Sequence, residues 1–490
     1  MIEQTNGNTR KLFLMIILII FLLPLAKLNA QKKNTQQVNH PNQDRPNIVL
    51  IMTDQHQAEA LSIAGNLNLH TPNLDKLAKT GIRFENAYVT FPLCSPSRSS
   101  IFTGKMPHTI DVNSNSAGDN VMKVADKQKG LGHVLSQAGY DCAYGGKWHA
   151  HEAGMADGNG FTTIADFGDM PLAEKCVDYL KTKQKSNQPF FLVASFDNPH
   201  NICEWARNEP LPYGNIASVP LSETPELPVN FKKSATFPEA LQIEQTIDVK
   251  VYPTQNYTEE DWRQYRYTYY RLVEKVDKQI GQIIDAIDAL GLRDNTVIIF
   301  TSDHGDGNAS HGWNQKTALF QESIKVPFII NYKGINTSKE KINKTLLSNG
   351  LDLFPTLCDF AAIDVSKELL GKSIKQIIEK GTNTRDFVVV ETKFEGKNAY
   401  GTMGRALVTQ KYKYVLYSWG KNREQFFDIE NDPNEMNNLI NSNSELNNID
   451  EYRQKLLNWC KQTNDTKFMK KLVLPTNSSM TSDELFDKPY

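Results

Sequence analysis

The chain has 490 residues, of which 40% are hydrophobic and 22% charged, and its formal net charge at pH 7 is −2. This composition is typical of an ordinary globular protein, and the length is sufficient for a large core and more than one structural unit. The near balance of charge gives no support to nucleic acid or an anionic membrane surface as a partner.

The N-terminus has the pattern of an export signal. Two basic residues precede the apolar run Leu12 to Ala26, and the small residue Ala30 follows it. The run is shorter than the about 20 residues that a membrane-spanning helix needs. We therefore predict a signal peptide over residues 1–30, cleaved near Ala30, a flexible leader over 31–45, and a periplasmic or secreted protein without a stable membrane span. An uncleaved N-terminal anchor is the alternative.

Short apolar runs alternate with helical patterns along most of the remaining chain. The predicted buried strands span residues 47–52, 189–194, 296–300 and 326–330. They are rich in β-branched and aromatic residues without alternation, as in parallel strands that are covered on both faces. Helices are predicted over residues 73–80, 131–138 and 262–290. This order predicts an α/β fold with a large, mainly parallel sheet sandwiched by helices.

The pattern changes after about residue 380. Residues 387–391, 405–409 and 413–417 have the pattern of closely spaced strands, and a helix is predicted over 446–463. We therefore predict a larger domain over residues 46–380 and a small C-terminal antiparallel α+β subdomain over 381–490. Residues 201–260 are rich in proline and lack periodicity. A loop of that length inside a domain is usually functional, so we expect it to face the substrate.

Five polar segments stand out, and those that begin at Asp54, Asp197 and Asp303 closely follow predicted strands. The segments are Asp54-Gln-His56, Gly145-Gly-Lys-Trp-His149, Asp197-Asn-Pro-His200, Asp303-His-Gly-Asp306 and His311-Gly-Trp-Asn-Gln-Lys316. Ligands of open α/β sheets bind at the carboxyl ends of the strands, so we expect the segments that follow strands to lie at a binding site.

The most specific pattern of the chain is the segment Cys94-Ser-Pro-Ser-Arg-Ser-Ser-Ile-Phe-Thr-Gly-Lys105. It resembles the signature of the type I sulfatases, which belong to the alkaline-phosphatase-like superfamily. The segments above follow the family order, and residues 426–435 resemble its C-terminal segment. In that family a formylglycine-generating enzyme or an anaerobic sulfatase-maturating enzyme oxidises the cysteine to formylglycine. The resemblance implies an alkaline-phosphatase-like fold, a formylglycine derived from Cys94 as nucleophile, and a sulfuric ester hydrolase.

The same resemblance implies a metal site. Asp54, Gln55, Asp303 and His304 stand where the family binds one divalent cation. Carboxylate oxygens favour a hard ion, so Ca²⁺ is expected, with Mg²⁺ as the alternative. Many sulfatases have an aspartate where this chain has Gln55, whose amide oxygen can ligate but has no charge.

Substrate binding follows from the resemblance as well. Lys147 and Lys316 match residues that bind sulfate oxygens, and Arg98 matches the residue that stabilises the formylglycine. His200 is expected to lie at the departing alcohol. His311, which is close to Lys316 in the sequence, is expected to contact the sulfate or the sugar.

Four residues match positions of the family's proton-transfer groups, two of them as alternatives for one step. Asp303 stands where the nucleophile's proton is taken, and His200 or Lys316 where the departing alcohol is protonated. His149 matches the base that deprotonates the second hydroxyl of the hydrated aldehyde, which expels sulfate and regenerates the aldehyde. Each such step contributes roughly 10²–10⁴-fold to the rate.

Together, export and the resemblance predict an enzyme that hydrolyses sulfate esters of a sulfated carbohydrate. Algal polysaccharides such as ulvan or carrageenan, or their oligosaccharides, fit a secreted degradative enzyme, and glycosaminoglycans are the alternative. A phosphonate or phosphate monoester hydrolase of the same fold and an inactive carbohydrate-binding relative are further alternatives. The motifs do not name the sugar, because variable loops build the pocket beyond the sulfate.

Overall fold

The computed structural model describes residues 45–116, 122, 126, 129–150, 158–335, 342–381, 385–394 and 401–478. The predicted signal peptide and residues 31–44 of the predicted leader lie outside this part of the chain. Among the described residues, no helix is long and apolar enough to cross a membrane.

An eight-stranded sheet forms the centre of the fold, in the spatial order β5-β4-β6-β1-β7-β8-β2-β9. Its strands are β1 (Asn47–Asp54), β2 (Ile82–Phe84), β4 (Asp141–Gly146), β5 (Thr162–Ala165), β6 (Phe190–Pro199), β7 (Thr296–Ser302), β8 (Phe328–Asn331) and β9 (Ile342–Asn343), while β3 (Ala87–Tyr88) and β10 (Leu347–Ser348) form a separate pair. The five strands from β5 to β7 are parallel. The predicted mainly parallel sheet is confirmed.

One strand runs opposite to the prediction. Residues 326–330 were expected to form another parallel strand, but β8 pairs antiparallel with β7, with Ile299 opposite Ile330. A parallel pair needs a crossover, usually through a helix of some length. Between β7 and β8, a stretch that is described in full, the only α-helix is the short Gln321–Ile324, which is too short for a crossover. The chain therefore turns back, and β8 lies beside β7 in the opposite direction.

Helices cover both faces of the sheet. The described α-helices are α1 (Pro72–Thr80), α2 (Cys94–Thr103), α3 (Leu131–Gln137), α4 (Leu172–Lys183), α5 (Ile202–Ala206), α6 (Glu239–Ile247), α7 (Glu259–Ala289), α8 (Gln321–Ile324), α9 (Asn349–Phe360), α10 (Ile374–Lys380), α11 (Leu446–Thr463) and α12 (Thr466–Met469). In β1, Leu50 packs in the cluster that contains α2 and α9, whereas Ile51 packs in the cluster that contains α1 and α7. Because successive strand residues point to opposite faces, a continuous apolar run fits this central position.

The C-terminal part forms the predicted antiparallel subdomain. Its strands β11 (Val388–Lys393), β12 (Met403–Val408), β13 (Tyr412–Tyr417) and β14 (Glu424–Asp428) lie side by side in chain order. One face packs against α11 through Leu456 and Trp459, and the other packs against Trp313 and Phe320 of the larger domain. The domain boundary at residue 380 stays a prediction.

Residues 201–260 are not a continuous loop. They contain α5 and α6, and Arg263 of α7 donates hydrogen bonds to the carbonyls of Leu221, Thr224 and Pro225. These bonds fix a segment that has little periodicity of its own, which is why its sequence resembled a loop.

Candidate active site

Four neighbouring parallel strands place charged residues at one edge of the sheet. Lys147 follows β4, Asp197 lies near the end of β6, Asp54 ends β1, and Asp303 follows β7. The Lys147 ammonium lies 2.8 Å from Asp54 Oδ2 and 2.9 Å from Asp197 Oδ1. These segments therefore meet at one edge, although they are far apart in the chain.

Helix α2 brings Cys94 and Arg98 to the same edge. Cys94 is its first residue, and every residue of the helix is buried. Arg98, one turn later, donates from Nε to Asp303 Oδ2 at 2.7 Å and from Nη2 to Asp54 Oδ2 at 3.1 Å. Gly104 ends the helix with φ 69°, a left-handed conformation that favours glycine and explains its place in the segment.

Cationic groups surround the Cys94 thiol, which has no exposed surface. Lys316 Nζ lies 3.2 Å from Sγ and His304 Nε2 lies 3.3 Å from it. The Asp54 carboxylate is also close, with Oδ1 at 3.7 Å. Burial alone would raise the pKa of Cys94, but Lys316, Lys147, His304 and a hydrogen bond with His149 hold it well below its ordinary value. The position at the start of a helix also favours negative charge. The site thus stabilises an anion at the side chain of residue 94.

Asp54, Asp303 and His304 form a buried set of metal-ligating atoms. One ligand atom from each lies within 4.8 Å of the others, together with the Cys94 sulfur. His304 Nδ1 donates to the Gly305 carbonyl, so Nε2 faces Asp54 Oδ1 at 3.6 Å and Asp303 Oδ1 at 3.8 Å. Two carboxylates and an imidazole nitrogen converging in a dry site fit a divalent cation such as Ca²⁺ or Mg²⁺.

The titration behaviour of this set fits the same conclusion. Burial alone would raise the pKa of Asp54, but Lys147, His200 and Arg98 lower it below its ordinary value. For Asp303, burial and the neighbouring Asp54 raise the pKa despite Arg98. The protein's own positive groups therefore do not fully stabilise the negative charge of Asp303, and a bound cation would supply the missing positive charge.

Gln55 is placed beside this set, but its side chain faces another partner. Its Nε2 donates to Asp306 Oδ2 at 2.7 Å, and its Oε1 lies 3.5 Å from Cys203 Sγ. Its backbone N–H donates to Asp303 Oδ1 at 3.2 Å. The role of Gln55 as a ligand stays a prediction.

His149 and His200 lie at the more open side of the site. His149 is half-buried with φ 37° and hydrogen-bonds to Cys94, and the His200 side chain is 20% exposed with Nδ1 4.0 Å from Asp197 Oδ1. Both imidazoles therefore have solvent-accessible surface, whereas the Cys94 side chain has none.

His311 is placed in a different group of residues. Its ring stacks on Phe320 at 4.1 Å between centroids. One of its ring nitrogens lies within 4.8 Å of a carboxylate oxygen of Glu322 and of Glu435. Its Nε2 is 3.3 Å from Asn230 Nδ2. These contacts account for its burial, and its predicted contact with sulfate or sugar stays a prediction.

Several supporting residues were not predicted individually. Asp197 pairs with Lys147 and Asn201, and Asp306 accepts hydrogen bonds from Gln55 and from Tyr265 at 2.9 Å. Both aspartates lie inside motifs that the sequence had marked, so the signal was present but gave them no role.

Two family models match the chain. One, described as Sulfatase, matches residues 46–363, and another, described as N-sulphoglucosamine sulphohydrolase, C-terminal, matches residues 309–462. Together they span both the large sheet and most of the C-terminal subdomain.

Named relatives are similar over most of their length. A Delta 4,5-hexuronate-2-O-sulfatase from Bacteroides thetaiotaomicron is 32% identical over 415 residues, covering 81% of this chain and 85% of that protein. An ulvan-active sulfatase from Formosa agariphila is 28% identical, covering 86% of this chain and 82% of its own. Among solved structures, a 2-O GAG sulfatase superposes with a TM-score of 0.77 at 29% identity, covering 88% of this chain and 95% of that one.

Proposed function

This chain belongs to the sulfatase family and is a sulfuric ester hydrolase, and on that premise we propose that it is exported and removes sulfate from a sulfated carbohydrate. The observation that supports the chemistry most strongly is the position of Cys94. It lies at the start of a buried helix, beside two lysines and next to a metal-ligating set.

The proposed substrate is an algal polysaccharide such as ulvan or carrageenan, or an oligosaccharide derived from it. Similarity to an ulvan-active sulfatase supports this choice. Similarity to a hexuronate-2-O-sulfatase and to a 2-O GAG sulfatase supports the second candidate, a glycosaminoglycan fragment. Both are carbohydrates with an anionic sulfate group, so one set of site residues serves either.

The charges of the site suit an anionic group. Arg98, Lys147 and Lys316 lie among three aspartates, so the protein's own charges nearly balance. The proposed cation, held by Asp54, Asp303 and His304, would supply the positive charge that attracts a sulfate oxygen and polarises it. Lys147 and Lys316 would then hold the other sulfate oxygens at the position where negative charge develops.

We assign the three proton-transfer steps of the reaction to Asp303, His200 and His149. A carboxylate oxygen of Asp303 lies within 4.8 Å of the Cys94 sulfur, so we propose that Asp303 takes the nucleophile's proton. His200, whose side chain is 20% exposed, would protonate the departing alcohol, and Lys316 is the alternative donor. His149 contacts residue 94 and would act on its hydrated aldehyde, the formylglycine that we propose is derived from Cys94.

A sulfate-release screen tests this proposal. Enzyme purified from a host that co-expresses a sulfatase-maturating enzyme would be assayed on defined ulvan, carrageenan and glycosaminoglycan oligosaccharides, an aryl sulfate and an aryl phosphonate. We expect sulfate release from at least one saccharide series and a lower rate on the phosphonate.

The matched control is Cys94→Ala, which has no sulfur or oxygen at Cβ to oxidise and so cannot form the aldehyde. It should lose turnover while it still unfolds in a single cooperative urea transition. Mass spectrometry of the peptide that contains residue 94 should show formylglycine in the active preparation. Activity of an enzyme whose residue 94 is entirely unmodified would contradict the mechanism, and faster phosphonate hydrolysis would contradict the reaction class.

A further inference from the structure

An exposed aromatic ring lies beside the buried sulfate-binding lysine. Phe167 is 65% exposed, although large aromatic side chains are usually covered. The Lys147 ammonium lies 5.9 Å from the centre of its ring, and the Lys147 side chain itself is 5% exposed. Phe167 therefore lies next to the Lys147 ammonium with much of its apolar surface uncovered.

The loop that bears Phe167 is held firmly in place. It follows β5, and its Asp169 is buried and accepts hydrogen bonds from Asp197 N at 2.6 Å and from Asn198 N and Nδ2 at 3.1 and 2.7 Å. These bonds connect the loop to the end of β6, which also provides Asp197, the partner of Lys147. The position of the ring is therefore fixed relative to the lysine.

The inserted segment 201–260 supports the loop from the other side. Gly168 has φ 124°, and a Cβ at that residue would lie 3.2 Å from the Tyr213 hydroxyl. The same hydroxyl donates to Asp197 Oδ2 at 3.5 Å. Glycine is needed here because the backbone takes a conformation that other residues rarely adopt and because Tyr213 packs against it.

We propose that the ring of Phe167 is the stacking platform for the sugar that bears the sulfate ester. With the sulfate held at Lys147, the sugar ring attached to it must lie close to that ammonium, and Phe167 is an exposed aromatic ring beside the same group. An aromatic face offers apolar area and a negative quadrupole to the C–H groups of a pyranose ring. This inference rests on the proposed carbohydrate sulfatase function and adds a residue that selects substrates with a ring over small sulfate esters.

The contact has a defined kinetic signature. A sugar stacked on Phe167 would be bound equally in the ground state and in the transition state, because the platform touches none of the reacting atoms. Loss of such uniform binding raises KM and leaves kcat unchanged. Phe167→Ala should therefore raise KM for the best saccharide by about 10- to 100-fold with kcat within about twofold.

Three variants separate this role from a general effect on the loop. Phe167→Tyr keeps the aromatic face and should keep KM within about threefold, whereas Phe167→Leu keeps apolar bulk without the face and should resemble alanine. Met170→Ala is the matched control, since Met170 is 67% exposed on the same loop and its sulfur faces Gln279 at 3.6 Å. It should leave KM and kcat unchanged.

The possible outcomes can be told apart. If mature wild-type enzyme cleaves a saccharide sulfate and Phe167→Ala keeps KM within twofold, the platform is refuted and the proposed function stands. If the wild type cleaves an aryl sulfate but no saccharide, both proposals fall. A rise in KM for Phe167→Ala and Phe167→Leu but not for Phe167→Tyr or Met170→Ala supports the platform.

Discussion

Replacing Arg98 with methionine should lower the free energy of unfolding by about 3–5 kcal/mol, the usual cost of removing one partner of a buried charge cluster. Arg98 has no exposed surface and donates to Asp303, Asp54, the Lys147 carbonyl and Ser195 over distances of 2.7 to 3.1 Å. Methionine supplies apolar bulk but no positive charge. Two carboxylates then lose the cation that they share, in a place that water does not reach.

The assay is urea unfolding of metal-free protein, followed by tryptophan fluorescence. The control is Arg293→Met, because Arg293 pairs with Asp288 at 2.8 Å but has a side chain that is 26% exposed. Surface pairs of this kind contribute about 0–1 kcal/mol. A loss below about 1 kcal/mol for Arg98→Met, equal to that of the control, would refute the view that this guanidinium stabilises the carboxylates.

A second variant keeps the test decisive if methionine prevents folding. Arg98→Lys retains the charge, but an ammonium lacks the planar fork that meets Asp54 and Asp303 together. We expect an intermediate loss of stability. Added Ca²⁺ should restore part of the loss in either variant, because the cation would neutralise the same carboxylates.

Two further predictions concern a metal ion and pH. Ca²⁺ at 100 times its dissociation constant should raise the free energy of unfolding, measured in urea, by about 2.7 kcal/mol. A chelator should remove both this gain and the activity. Asp303→Asn should reduce the calcium-dependent gain, and an unchanged gain in that variant would contradict the proposed metal site. Burial alone would lower the pKa of His108, but Glu391 raises it above its ordinary value. Stability from this pair is therefore fully present below about pH 6.5 and lost as pH rises through the folded pKa, so the free energy of unfolding should decline above neutrality, and His108→Gln should flatten that decline.

The sequence predicted the elements whose own residues determine them. The apolar run of β1 required cover on both faces, and the long apolar stripe of α7 required a helix, so both appear close to their predicted limits. The carboxyl ends of parallel strands necessarily lie at one edge. This geometry is why the predicted strands before Asp54 and Asp303 were enough to place those two residues at one edge, whereas Lys147, which follows no predicted strand, was assigned to the site by the family resemblance.

Features that depend on tertiary partners were not predictable in the same way. The direction of β8 depends on the connection before it, and the Gln55 amide faces Asp306 because that carboxylate lies within reach. Phe167 lies outside all the sequence motifs described above. Its proposed role depends on Asp169, which connects the loop to the end of β6, and a single sequence gives no measure of that contact.

The complete burial of Cys94 sets a time limit on its chemistry in the cell. A side chain without exposed surface is out of reach of another enzyme, so any catalyst that modifies it must act on a chain that has not finished folding. Lys316, whose ammonium covers the sulfur, follows it by 222 residues. At ordinary synthesis rates this separation corresponds to roughly 10 to 45 s. Conditions that slow translation or folding should therefore raise the fraction of modified molecules, while rapid folding would trap the thiol permanently.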